Sequence, residues 1–339
     1  MAKQRERGWP PDPEPLPVPV VDNHTHLDSI PHVLPDDVPA PSVADHLARA
    51  AAAGVDRLVQ VGCDLPSARW TDALLRGVPA AWEHADTPAE QGVPARPGVV
   101  TGDDPMLGEA AADRGRLLGA VAVHPNEAVL HGGVREMGPD GLLPDPKAHH
   151  DVALDDAVAE IAAIARGNDR VRAIGETGMD LFRTGSQGEA VQREAFRAHV
   201  ALAKELGLAL QIHDRDAHAE VLDVLARDGA PERTVFHCYS GDAAMARFCA
   251  EQGWFLSFAG PVTFRANDEL RAALREVPLG QVLVETDAPY LTPHPYRGRP
   301  NAPYVLPTTV RTVAEVVDLP LADVCARLAA TSVAVYGPW

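Results

Sequence analysis

Eight short apolar runs, spaced along the chain and separated by Ala- and Leu-rich stretches, constrain the fold more than any other feature. They are PVPVVDNH, VDRLVQVG, LLGAVAVHP, VRAIGETG, LALQIHD, RTVFHCYSG, WFLSFAG and VLVETDAP. Each is rich in β-branched residues, apolar on both faces and bounded by turn signals, as strands buried in a parallel sheet are. Helical patterns lie between them, among them SVADHLARAAAAG, ALDDAVAEIAAIARG, QREAFRAHVALAKELG, AHAEVLDVLARDG and DAAMARFCAEQG. Several end in Gly, which terminates helices readily. Eight strands with crossover helices in roughly 300 residues predict an α/β chain of the (β/α)8 TIM-barrel type rather than an open doubly wound sheet.

The rest of the chain is organised around that repeat. Residues 1–19 are rich in proline and charge and read as a disordered or extended leader. Residues 20–339 form one TIM-barrel domain with two Gly-, Pro- and Asp-rich loop insertions, about 77–116 and 131–150. Neither insertion holds enough periodic apolar sequence for a core of its own. No apolar run reaches the roughly 18 residues that a membrane helix needs. Cys63, Cys238, Cys249 and Cys325 form no C-x-x-C motif, which suits a reducing compartment and thiols that mostly fill the core. The expected location is the cytoplasm. A net charge of −18 excludes a protein that holds nucleic acid on a broad basic surface.

The polar residues fall where the strands end. The first run closes on Asp22, Asn23, His24, Thr25 and His26, the third on His124, the fourth on Glu176, and the fifth on His213. The sixth closes on His237, and the eighth on Glu285 and Asp287. In a (β/α)8 barrel these ends converge on one mouth, where active sites are built. Residues i and i+2 of a strand point the same way, so both imidazoles of His24-Thr25-His26 can grip one ion. Imidazole and carboxylate ligands suit Zn²⁺, Mn²⁺, Co²⁺ or Ni²⁺ and tolerate Mg²⁺. No cysteine stands among these ligand positions, which argues against a closed structural zinc site.

The motifs DNHTHLD, VAVHPNEA, AIGETGMDLF, LQIHDRDAH, FHCYSG, SFAGPVTF and ETDAPYLTPHPYRGRPNAP occur in that order from about Val20 onward. Together they resemble the TatD family of metal-dependent deoxyribonucleases, in the amidohydrolase-like superfamily. The resemblance implies two divalent ions (Mg²⁺, Mn²⁺ or Zn²⁺). His24, His26 and Asp287 would hold one, His213 and His237 the other, and Glu176 would bridge them. It also implies hydrolysis of DNA phosphodiesters, of the 3′–5′ exonuclease type, by a water activated between the ions. Asp287 and Glu176 would serve catalysis, and His124 would meet the phosphate or protonate the leaving oxygen. Where the family often has Gly-Leu-Asp-Tyr, this chain has Gly178-Met179-Asp180-Leu181, so a hydroxyl is missing at Leu181.

Further expectations concern the surroundings. Arg215, Arg297 and Arg299, with Arg265, are candidate phosphate clamps. Asp214 or Asp216 would orient His213, Glu285 would support the site or pack a helix, and Asp22 would tune the first metal pair. Trp254, Phe258, Phe264 and Tyr290 are candidates for base stacking, with core packing the commoner use of such residues. The acidic charge points to single-stranded DNA or chain ends as partner, held by local contacts. No membrane and no obligate protein partner is expected. The rival readings are a metal-dependent hydrolase of a small amide, lactone or phosphoester, and a barrel that serves as a non-catalytic scaffold.

Overall fold

The computed structural model describes residues 8–34, 40–78 and 115–339. Eight strands form one sheet in chain order, β1-β2-β3-β4-β5-β6-β7-β8. They are β1 (Val20–Thr25), β2 (Val55–Gly62), β3 (Leu117–Val121), β4 (Val171–Asp180), β5 (Ala209–Arg215), β6 (Thr234–Phe236), β7 (Phe255–Phe258) and β8 (Val282–Val284). The last strand returns to the first through a parallel bridge between Thr25 and Ala288. Two backbone bonds support it, from Asp287 N–H to His24 O and from His26 N–H to Ala288 O. The fold is the expected (β/α)8 barrel, and all eight apolar runs supply its strands.

The described chain divides into two compact units. The first comprises Met1–Gln60, Gly115–Leu118 and Val235–Trp339. It holds β1, most of β2, β7, β8 and the helices α1 (Val43–Ala52), α7 (Ala243–Glu251), α8 (Asp268–Arg275), α9 (Leu306–Val317) and α10 (Leu321–Tyr336). The second comprises Val61–Arg114 and Gly119–Thr234. It holds β4, β5 and the helices α2 (Leu65–Arg76), α3 (Pro125–His131), α4 (Leu154–Gly167), α5 (Ser186–Leu206) and α6 (His218–Asp228). Local chemistry sets these boundaries. Ser42 with Asp45 and Asp64 with Ser67 form capping boxes at the starts of α1 and α2. Gly77 and Gly207 end α2 and α5 in the left-handed conformation.

Every residue of β1 is buried, and so are its polar ones. Buried polar groups need partners, and Asn23 of β1 finds one on β8, while Gln60 of β2 holds the backbone just past β1. Asn23 Nδ2 donates to Val284 O at 2.8 Å, and Gln60 Oε1 accepts from Leu27 N–H at 2.8 Å. Close packing is equally demanding between β4 and β5, where Gly178 stands opposite His213. Gly178 has φ +145, and a Cβ there would run into the His213 carbonyl. Only glycine fits that place.

The leader departs from the disordered expectation where it is described. Residues 8–19 have little regular structure, yet they are held to the first unit. Tyr304 Oη donates to Pro10 O at 2.6 Å, Arg49 pairs with Asp12 at 2.6 Å, and Leu16 N–H donates to Ala53 O. Trp9 packs against a buried cluster that includes Tyr304 and Val305. Of the two insertions, 79–114 lies outside the described residues. The second is irregular until a short 3-10 turn at Ala148–Asp151. Among the described residues no helix is long and apolar enough to cross a membrane.

Candidate metal centre

The first unit gathers His24, His26 and Asp287. The two histidines, two positions apart at the end of β1, bring their Nε2 atoms within 3.2 Å of each other. Asp287 Oδ1 lies 3.4 Å from His26 Nε2 and 3.8 Å from His24 Nε2. Bonds of about 2.0–2.2 Å to one ion would hold ligand atoms roughly 3.3 Å apart, so this spacing fits a shared cation. All three residues are buried. Asp287 sits at φ 52, a conformation that Asp tolerates better than most residues. It is fixed there by its N–H on His24 O.

His237, just past β6, stacks on His24 with ring centroids 4.0 Å apart. Its Nδ1 donates to Glu285 Oε1 at 3.1 Å, and Cys238 N–H donates to the same oxygen at 2.7 Å. This leaves the lone pair of His237 on Nε2, the arrangement in which metal-binding histidines are usually held. Glu285 therefore orients His237. Asp22 ties β1 to the segment after β8, accepting from Thr286 Oγ1 at 2.5 Å and Thr286 N–H at 2.9 Å. Complete burial pushes its carboxyl up to about 8 despite those bonds.

The second unit gathers His124, Glu176 and His213, whose ligand atoms lie within 4.8 Å of one another. His213 Nδ1 is 2.5 Å from Glu176 Oε1, and His213 Nε2 is 3.2 Å from Asp180 Oδ2. The expectation of Asp214 or Asp216 as the orienting carboxylate is corrected: Asp180, at the end of β4, meets the ring. Asp214 pairs with His218 at 2.8 Å. Burial raises the Asp180 carboxyl, but bonds from His213 and Asn126 outweigh it and hold it below the ordinary carboxylate value.

His124 lies 3.5 Å from Glu176 Oε1 and 3.4 Å from His213 Nδ1. It is the N-cap of α3, and its Nδ1 accepts from Asn126 N–H at 3.1 Å. A neutral imidazole so held carries its proton on Nε2, so His124 presents a donor toward Glu176. Cys63, read from sequence as core filler, reaches Glu176 Oε2 with its Sγ at 3.4 Å. Gln60, Asp180, Asn126 and Thr286 are further supports that sequence reasoning passed over. Their only signal was a polar side chain in or beside a strand that is otherwise apolar.

The arginines separate by environment. Arg297 is exposed and stacks on Phe264 at 4.2 Å from the ring centroid. Both line a groove of about 440 Å³ with Pro289, Leu291 and Thr292. Arg299 donates to Trp9 O at 3.3 Å and so holds the leader. Arg215 stacks on Phe182 at 3.9 Å, and the Arg215 carbonyl accepts from Leu181 N–H. Arg265 is exposed, and its carbonyl accepts from Arg271. Trp254 and Phe258 are core residues and do not offer a stacking surface, whereas Tyr290 is 50% exposed with its ring 6.2 Å from His26.

Comparison with known proteins gives the chain its family. The family model described as TatD related DNase matches residues 21–337. An uncharacterized metal-dependent hydrolase, TatD, of Mycobacterium tuberculosis is 41% identical over 303 residues, 88% of this chain and 90% of its own. YJJV, a TatD homolog from Escherichia coli, superposes with a TM-score of 0.68 at 20% identity, covering 94% of this chain and 97% of that one. The phosphotriesterase homology protein from Escherichia coli, solved with phosphate in its active site, gives 0.55 at 13% identity, covering 94% and 99%. The last two likenesses speak for the fold.

Proposed function

This chain belongs to the TatD family of metal-dependent hydrolases, and from that premise we propose that it cleaves phosphodiester bonds of DNA, acting on single strands or chain ends. The observation that carries the reading is the buried His24, His26 and Asp287 set, with its ligand atoms 3.2–3.8 Å apart. The donor set fits a divalent transition metal, or Mg²⁺ less tightly. His24, His26 and Asp287 are proposed as ligands, together with Glu176, His213 and His237. Bound divalent ions supply Lewis acidity and lower the pKa of water.

The chain's own groups do the rest. Glu285 and Asp180 fix the orientation of His237 and His213. Asp287 is proposed as the acceptor of the proton released by the attacking water. His124 offers its Nε2–H to the phosphate or to the leaving oxygen, a role its Nδ1 bond to Asn126 prepares. Arg297, stacked on Phe264, and Arg299 line the groove, and the exposed Tyr290 offers a ring face near His26, which suits a short stretch of single strand. The name of the family model supports DNA as substrate. The phosphate in the phosphotriesterase homology protein supports phosphoryl chemistry on this fold.

The test is release of nucleotides from 3′-labelled single-stranded DNA by the purified chain with Mg²⁺ or Mn²⁺. Activity abolished by EDTA and by His213→Ala is expected. Metal-loaded protein that releases no nucleotide, yet hydrolyses a small ester or amide, would replace this reading.

A further inference from the structure

The second insertion carries a histidine pair, His149 and His150, onto the helix α3. There they meet Glu127 and His131, which stand one helical turn apart on one face of the helix. The ring centroids of His149 and His150 lie 3.9 Å apart, and His131 is 5.0 Å from His150 and 6.1 Å from His149. Glu127 Oε2 is 2.6 Å from His150 Nε2 and 3.4 Å from His149 Nε2. Three imidazoles and a carboxylate thus collect outside the centre described above.

The hydrogen bonds assign each group a state. His150 Nδ1 accepts from Lys147 N–H at 2.7 Å, so its proton is on Nε2 and is donated to Glu127. His150 is then an orienting group and not a ligand. His131 Nδ1 donates to Val152 O at 2.8 Å, which leaves a lone pair on Nε2. That Nε2 is buried and has no hydrogen-bond partner among the described residues. A buried acceptor without a partner costs about 1–3 kcal/mol. An imidazole whose other nitrogen donates to a backbone carbonyl is the usual form of a metal ligand.

We propose that Glu127, His131 and His149 form a binding site for a zinc-class transition-metal ion, with His150 orienting Glu127. Two imidazole nitrogens and one carboxylate oxygen favour Zn²⁺, Co²⁺ or Ni²⁺ over Mg²⁺. Tetrahedral bonds of about 2.0–2.1 Å place ligand atoms roughly 3.4 Å apart and imidazole centroids roughly 5–6 Å apart. The Glu127–His149 separation of 3.4 Å meets the first figure. The His131–His149 centroid separation of 6.1 Å exceeds the second figure, and the ligand atoms already within 4.8 Å of one another are those of Glu127, His149 and His150, so an ion bound here draws the His131 ring inward. Such an ion staples the insertion to α3, the helix whose N-cap is His124.

The test counts metal in the full chain, independently of any action on DNA. The parent, His149→Gln and Glu127→Gln are equilibrated with Zn²⁺, desalted and assayed by elemental analysis, with circular dichroism to confirm folding. One zinc ion fewer per chain is expected in each variant. A second measurement uses Co²⁺ in a chain carrying His24→Ala and His213→Ala. Visible absorption of the tetrahedral type is expected there, and it should vanish on adding His149→Gln. Unchanged zinc content in the folded variants, or no such absorption in the His24→Ala/His213→Ala chain, overturns the proposal.

Discussion

Replacing Glu285 by Gln separates orientation of a metal-binding histidine from the bulk packing around it. Glu285 is fully buried, and its Oε1 accepts two hydrogen bonds, from His237 Nδ1 and Cys238 N–H. Glutamine has nearly the same shape and keeps one acceptor oxygen for those donors, but it removes the negative charge that makes His237 a stronger ligand. Loss of such an orienting carboxylate typically weakens metal affinity 10–100-fold, or about 1.4–2.7 kcal/mol. Glu285→Leu removes the acceptor as well, so the part-buried Cys238 N–H loses its partner, which adds up to about 1–3 kcal/mol of lost stability. Chelator competition measures affinity, and urea unfolding of the metal-free chains measures stability. Gln should lose affinity with little loss of stability, while Leu should lose both. An affinity in Glu285→Gln within about twofold of the parent would refute His237 as a ligand held by Glu285.

His199 is buried neutral, with Nε2 accepting from Val123 N–H, and burial pushes its pKa down to about 4. The unfolded chain takes up that proton near pH 6.5, so His199's contribution is complete above 6.5 and is lost as pH falls toward 4. At about 1.4 kcal/mol per pH unit this is about 3 kcal/mol, and urea midpoints across that range should fall less steeply in His199→Gln than in the parent. Gly178→Ala, which drives a Cβ into the His213 carbonyl, should cost about 3 kcal/mol or more, and a melting temperature within about 2 °C of the parent would count against that contact. Arg297→Ala should raise KM for an oligonucleotide several-fold with kcat kept. Arg299→Ala should lower the melting temperature, because its guanidinium holds Trp9 O.

The strands were legible because a buried parallel strand has an unmistakable composition, and the ligand candidates because they interrupt that composition at its ends. His24 and His26 needed only the two-residue period of a strand. Their closure by Asp287 depends on β8 returning to β1, which the expectation of eight strands already contained. What stayed hidden was pairing set by three-dimensional proximity alone. Asp180 rather than Asp214 meets His213 because β4 runs on to Asp180, while Asp214 is close enough to His218 to bind one turn away. The described part of the leader reads as disordered because its composition lacks periodicity. It is ordered by partners roughly 40 and 290 residues away, Arg49, Arg299 and Tyr304, whose bonds go mainly to backbone carbonyls. A backbone carbonyl has no sequence signature, so order of that kind leaves little trace in a sequence. The same holds for His131. Its lone pair is exposed as a ligand only by the bond its other nitrogen makes to Val152 O. The chemistry of this chain therefore lies partly in residue types and partly in which nitrogen of each histidine is already engaged.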